Sequence, residues 1–355
     1  MRWPAIAVPH LNAIGTAVPG HDIHDSFIGW ARRRVPDKER RLFDRMASRA
    51  GIAHRWSVLP AAPGSPVEAG GFYAAEPFPG TADRMALYAR TAPDLARAAV
   101  RDLAGRVPLD GVTHLVVASC TGFVAPGIDQ ILARDLGLDG SVERTLIGFM
   151  GCYASVAALR TARHIVRSEP EARVLVVTVE LSTLHLQAES AIEPLLAMLQ
   201  FGDGAAAALV SADRAGVALG RPFAATLPDS DALIRWDITD RGFAMHLSGE
   251  VPGRIAAALA DPAFVATMIG GARVDGWAVH AGGRSILDAV EQALHLPADA
   301  LAASRAVLAD NGNMSSATLM FVLARLLDSP PARGVALAFG PGLAAEGIAF
   351  GTDVA

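Results

Sequence analysis

Hydrophobic positions along this chain follow two rhythms. Short, largely apolar, β-branched runs occupy residues 114–119, 173–179, 205–210, 276–280 and 334–339. A strand that is apolar on both faces must be covered on both, so these runs predict central strands of a buried sheet. Between them lie alanine-rich stretches with helical periodicity. They predict helices over 86–103, 154–168, 253–259, 285–294 and 316–327, each bounded by Gly, Pro, Asp or Ser. Strands and helices alternating in this way predict an α/β protein.

The rhythm of strand, small-residue turn and helix occurs in both parts of the chain. SCTG and GFMGCYAS carry it before residue 215, and HAGGRS and DNGNMSS carry it afterwards. The chain therefore reads as two related halves, 1–215 and 216–355, divided around the Pro- and Gly-bearing stretch 214–229. Both halves hold chemistry-bearing residues in their turns, which predicts one compact unit with a site at the junction.

Composition narrows the function. With 355 residues, 52% of them hydrophobic, the chain can bury a large core. The net charge is −5 and no basic run stands out, which argues against a nucleic-acid partner. Pro4, Pro9 and Pro19 interrupt the amino-terminal apolar residues, so no secretion signal is read there. Stretches such as 111–128 and 145–159 are too short, or too punctuated by Gly and Pro, for stable membrane insertion. Two cysteines, Cys120 and Cys152, predict free thiols in a cytoplasmic protein.

Cys152 stands where a strand-like segment meets Gly148 and Gly151 and then an alanine-rich helix. A thiol at a helix amino terminus sees exposed N–H groups and the positive end of the dipole, which favour thiolate. In the second half, His280 ends an apolar strand before a glycine pair, and Asn313 precedes a helix in a polar loop. Taken singly, each residue has an ordinary reading: a buried structural cysteine, a satisfied strand-end histidine, a capping asparagine. Together they supply a nucleophile, an imidazole partner and a donor able to hold a thioester oxygen. None of the His or Cys spacings suits a metal, and no cofactor is expected.

These segments resemble the chalcone synthase family, the type III polyketide synthases. The likeness runs from about residue 42 to about residue 350 and rests on GFMGCYAS, QFGDGAAA, WAVHAGG leading into ILDAVE, GNMSSA and AFGPG in that order. It implies a thiolase-like fold, two related halves in a layered αβαβα core, and a homodimer. It makes Cys152 the acyl acceptor, His280 its imidazolium partner and Asn313 a second donor to the thioester carbonyl. An acyl-CoA starter and malonyl-CoA would be the substrates: decarboxylation would give an enolate that attacks the acyl-cysteine, adding two carbons per round.

The resemblance also implies a substrate pocket around Phe201, Cys120, Thr121, His185, Trp236, Met245, Ser315, Phe339, Gly340, Pro341 and Gly342. Arg45 and Arg49, one helical turn apart, fall on basic positions the family uses for coenzyme A phosphates, while a third such position is occupied by Leu42. For Phe201 core packing, and for the arginines a solvated helix face, are the plainer alternatives. Against plant relatives, Cys120 and His185 replace threonines, Met245 a second gatekeeping phenylalanine, Trp236 a glycine, and Ala125 a methionine that reaches into the partner subunit. A reshaped cavity follows, and an aliphatic starter giving an alkylpyrone or alkylresorcinol is the preferred expectation. The rivals are a β-ketoacyl-ACP synthase III-like enzyme, a non-catalytic scaffold of the same fold, and a Cys–His hydrolase.

Overall fold

A computed structural model describes residues 7–60, 67–68, 70–74, 76–271 and 273–354. Its strands are β1 (His10–Ala17), β2 (His21–Asp22), β3 (Trp56–Ser57), β4 (His114–Ser119), β5 (Glu143–Gly148), β6 (Val174–Leu181), β7 (Asp203–Ser211), β8 (Val217–Thr226), β9 (Ile234–Thr239), β10 (Gly242–Leu247), β11 (Gly276–Val279), β12 (Gly334–Gly340) and β13 (Ala344–Gly351). The helices are α1 (His24–Arg34), α2 (Arg40–Arg49), α3 (Thr81–Ala104), α4 (Ile128–Asp135), α5 (Ala154–Ser168), α6 (Ile192–Met198), α7 (Val251–Leu259), α8 (Pro262–Ile269), α9 (Arg284–Ala293), α10 (Ala302–Asn311) and α11 (Ser316–Leu326). Each strand and helix expected from the hydrophobic pattern is present within a few residues. One part of the expected dividing stretch is not a linker: 217–226 forms β8, in which Pro222 sits opposite Ile348.

Nine strands join in the order β11, β12, β13, β8, β1, β7, β6, β4, β5. In the first half β4 runs parallel to β6, β6 antiparallel to β7, and β7 antiparallel to β1. In the second half β11 runs parallel to β12, β12 antiparallel to β13, and β13 antiparallel to β8. The same senses in the same spatial sequence make the two halves structural relatives, joined where β1 meets β8 at His10 and Leu11.

Every residue of β4, β6 and β7 is buried, because both faces of these strands are apolar and both are covered. Leu115, Val117 and Val177 face a core shared with α3, whereas Val116, Ala118 and Val176 face one shared with α5, α11 and the inner face of the second half. Trp277, Val279 and Leu337 on the outer face of that half pack against α7 and α9. The result is five layers, αβαβα. From Ser316 to Leu323 α11 is wholly buried, as a helix enclosed between the two halves of the nine-stranded sheet must be. Truncating Leu319 there would cost about 2–5 kcal/mol. Since α5 and α11 share this middle layer, what precedes each of them meets the other.

Candidate active site

The chain leaves β5, passes Phe149 at φ 56, and enters a 3-10 turn at Gly151–Tyr153 that runs into α5. Gly151 is required twice over: its φ is 73, and a Cβ would lie 2.4 Å from Cδ of Pro341. Cys152, half-buried, thus stands at the start of α5. Asn313 precedes α11 in the same manner, followed by Ser315 at φ 48. Left-handed non-glycine residues at both helix starts are local strain held by the surrounding packing.

Asn313 is anchored on every side. Its N–H donates to Gln200 O (2.7 Å), its carbonyl accepts from Gly202 (3.0 Å), and its Oδ1 accepts from the Ser315 N–H (2.8 Å). Nδ2 donates to Gly282 O at 3.2 Å. A Cβ on Gly282 would stand 3.3 Å from the His280 ring, so Asn313 ties the His280 turn to the Cys152 turn. The side chains of Ser315 and Asn313 lie close enough to the Cys152 sulfur to act on its ionisation. His280 extends the ladder beyond β11 by donating its N–H to Leu337 O (2.8 Å). Its imidazole is buried, and neither ring nitrogen has a hydrogen-bond partner among the described residues.

Burial pushes the Cys152 thiol up to about 12, against the pull of Ser315 and Asn313, and pushes the His280 imidazole down to about 3. Taken one at a time, burial favours the neutral thiol and the neutral imidazole over thiolate and imidazolium. At the helix start the dipole is outweighed by desolvation. A proton passed from Sγ to a ring nitrogen would leave the net charge of the site unchanged, so neither shift by itself opposes such an exchange.

Beside Cys152 lies a buried carboxyl that sequence reasoning missed. Glu180 accepts from Cys120 N–H (3.0 Å), Thr121 Oγ1 (2.8 Å), Cys120 Sγ (3.3 Å) and Ser316 Oγ. Its one sequence signal was a lone acid at the end of the apolar run VLVVTVEL. Cys120 Sγ is 3.1 Å from Ser315 Oγ, and burial with the neighbouring Glu180 charge pushes this thiol well above its usual range. Cys120 thus takes part in a polar hydrogen-bonded cluster with Glu180 and Ser315.

A cavity of about 140 Å³ lies nearby, lined by Phe201, His185, Trp236 and Met245 together with apolar groups such as Phe27, Leu59, Leu186 and Met198. Cys152, His280 and Asn313 are not among its lining residues; Phe201, bridged to Asn313, stands at the boundary. The heteroatoms of Trp236 and His185 are already engaged by backbone groups. Trp236 Nε1 donates to Cys120 O (3.0 Å). His185 Nδ1 accepts from Phe243 N–H (3.0 Å), so Nε2 is the donor to Thr121 O (2.7 Å). His185 is stacked on Phe243 with centroids 4.2 Å apart, and burial holds its pKa down near about 3, so it stays neutral.

The remaining expected pocket residues lie elsewhere. Cys120, Thr121 and Ser315 belong to the polar cluster beside Cys152. Phe339 faces the outer core of the second half, since alternation along β12 turns it away from the site. Gly340 lies against Tyr153 and the Cys152 backbone, Pro341 against Gly151, and Gly342 O accepts from Ser230, so this loop braces the Cys152 turn. Arg45 and Arg49 are exposed on α2 and make no ion pair among the described residues. The segment before them is richer in cations than the charge reading allowed: Arg32, Arg33 and Arg34 close α1.

No helix among the described residues is long and apolar enough to cross a membrane. The profile for chalcone and stilbene synthases, N-terminal domain, matches residues 6–214, and that for their C-terminal domain matches 222–352. The chain is 38% identical to bisdemethoxycurcumin synthase of Oryza sativa over 75% of its length and 72% of that protein. It is 33% identical to the alpha-pyrone synthesis polyketide synthase-like Pks18 of Mycobacterium tuberculosis, over 76% of this chain and 72% of the other. Among solved structures, the C-terminal type III polyketide synthase domain of Steely1 from Dictyostelium superposes with a TM-score of 0.89 at 27% identity, covering 98% of this chain and 100% of that one. Thiolase-like in fold and matched along both halves, the chain belongs to the chalcone and stilbene synthase family, the type III polyketide synthases.

Proposed function

We propose that Cys152, His280 and Asn313 carry the acyl transfer and chain extension of this family. Cys152 Sγ gives its proton to His280 and attacks an acyl-CoA, forming the acyl-cysteine as the coenzyme A thiolate departs and takes up that proton. Malonyl-CoA then places its thioester oxygen between His280 and Asn313. The C–C bond to its carboxylate breaks, carbon dioxide leaves, and the electron pair remains as an enolate held by the two donors. The enolate carbon attacks the acyl-cysteine carbonyl, the C–S bond breaks to return the Cys152 thiolate, and the chain, now held as a coenzyme A thioester, is longer by two carbons. The observation that supports this reading is an anchored Asn313 carboxamide that bonds the turn after His280 and acts on the Cys152 thiol, with the His280 ring nitrogens unpartnered among the described residues. Incubation with acyl-CoAs and labelled malonyl-CoA, followed by mass spectrometry, tests it; free acid without added carbons would mean a hydrolase.

The starter we propose is aliphatic. Phe27, Leu59, Leu186 and Met198 offer apolar contact, and the nearby heteroatoms of His185 and Trp236 are already satisfied, so an alkyl chain loses no hydrogen bonds there. An alkylpyrone or alkylresorcinol would result, and the name of the mycobacterial relative, with its alpha-pyrone synthesis, supports the former. Turnover of aromatic starters alone would refute this choice. A cytoplasmic homodimer is part of the same proposal: β5 is an edge strand that exposes Leu146, and Phe123 is exposed beside Phe149 at its end. Sedimentation of the Leu146→Glu variant as a smaller species than the parent would support it.

A further inference from the structure

Leu42 removes a cation from α2, yet the fold supplies one from the other half of the chain. Arg284 is the first residue of α9 and follows His280 by four positions. Its Nη1 donates to Arg49 O at 3.4 Å, and its Cδ lies 3.8 Å from where a Cβ on Gly51 would stand. Arg284 therefore rests on the last turn of α2, beside the exposed Arg45 and Arg49. Among the described residues its one ion-pair partner is Asp288 at 3.6 Å, which is already engaged by Arg305 at 2.7 Å. The guanidinium is half exposed and weakly neutralised.

The backbone from His280 to Arg284 leads from the imidazole to this surface. Four extended residues reach at most about 14 Å, and the arginine side chain adds to that span. A thioester held at His280 with its pantetheine arm beside this segment brings its phosphates to the junction of α2 and α9. We infer that Arg284 is a coenzyme A phosphate-binding residue, closing with Arg45 and Arg49 a three-arginine clamp drawn from both halves. The inference rests on coenzyme A thioesters being the substrates. An arginine suits the task because its planar fork meets two phosphate oxygens at once.

The test compares malonyl-CoA with malonyl-N-acetylcysteamine, which keeps the thioester and lacks the nucleotide. For Arg284→Ala, KM for malonyl-CoA should rise about ten-fold with kcat little changed, while KM for the short thioester stays as in the parent. Leu42→Lys added to Arg284→Ala should recover most of the loss. An equal effect on both thioesters would reveal a structural role in the His280 turn and overturn the inference, as would no effect on either. Calorimetry with coenzyme A alone needs no turnover. Weaker binding by the variant would uphold the clamp even if the parent made no polyketide, and unchanged binding would refute it even if the parent did.

Discussion

The surroundings of Cys152 and the cavity behind Phe201 are neighbours built by opposite means. Around Cys152 the side chains of Cys120, Glu180, Asn313 and Ser315 are hydrogen-bonded to their neighbours, while both His280 ring nitrogens lack a partner among the described residues. In the cavity wall the polar atoms of His185 and Trp236 are consumed by the backbone of Thr121 and Cys120, leaving ring faces and hydrocarbon toward the space. Both regions hang on the same segment, Cys120–Thr121, and on the same backbone bridge, Phe201 to Asn313. The comparison teaches that the same backbone segment can leave an imidazole free on one side and cover the heteroatoms of an imidazole and an indole on the other.

Breaking the polar side should have the largest effect. Asn313→Ala removes one of two proposed donors to the enolate, so kcat for chain extension should fall about 10²–10³-fold, with acyl loading on Cys152, followed by mass spectrometry, much less affected. Equal losses in both steps would place Asn313 in scaffolding. On the apolar side, Met198→Trp fills the cavity and should lower kcat/KM for long acyl-CoAs by about ten-fold or more, while short starters are used as before. Loss with every chain length would show that cavity and reaction centre are not separable.

Two smaller effects sharpen the electrostatic contrast. Glu180 raises the Cys152 thiol pKa, so Glu180→Gln should give more thiolate at a fixed pH, and alkylation of Cys152 by iodoacetamide near pH 8 should quicken by roughly three-fold. Buried neutral histidines occur on both sides: His280 and His185 near about 3, and His24, beside Arg55, near about 4. The unfolded chain takes up these protons around pH 6.5 and the folded one refuses them, so their stabilisation is complete above pH 6.5 and declines as pH falls toward 4. Each contributes a slope of about 1.4 kcal/mol per pH unit in that window. Urea unfolding at pH 7, 6 and 5 measures the decline, and His280→Gln should reduce its slope by one such contribution.

The sequence by itself determined the central strands, the helices between them, the two-part rhythm and the position of Cys152, His280 and Asn313 at strand or helix ends. These depend on side-chain period and on Gly and Pro at turns, which act over a few residues. Strands β1, β8 and β13 escaped it, because HLNAIGTA, VALGRPFAAT and AAEGIAFG mix polar, Gly and Pro positions and become strands only through their neighbours' hydrogen bonds. Only the tertiary structure decided that Glu180 lies under Cys120, that Phe339 faces away from the site, that burial favours the neutral thiol and that Arg284 reaches α2. Each of these depends on which segments the five layers bring into one space and how much water they exclude, and no local pattern in the chain encodes that.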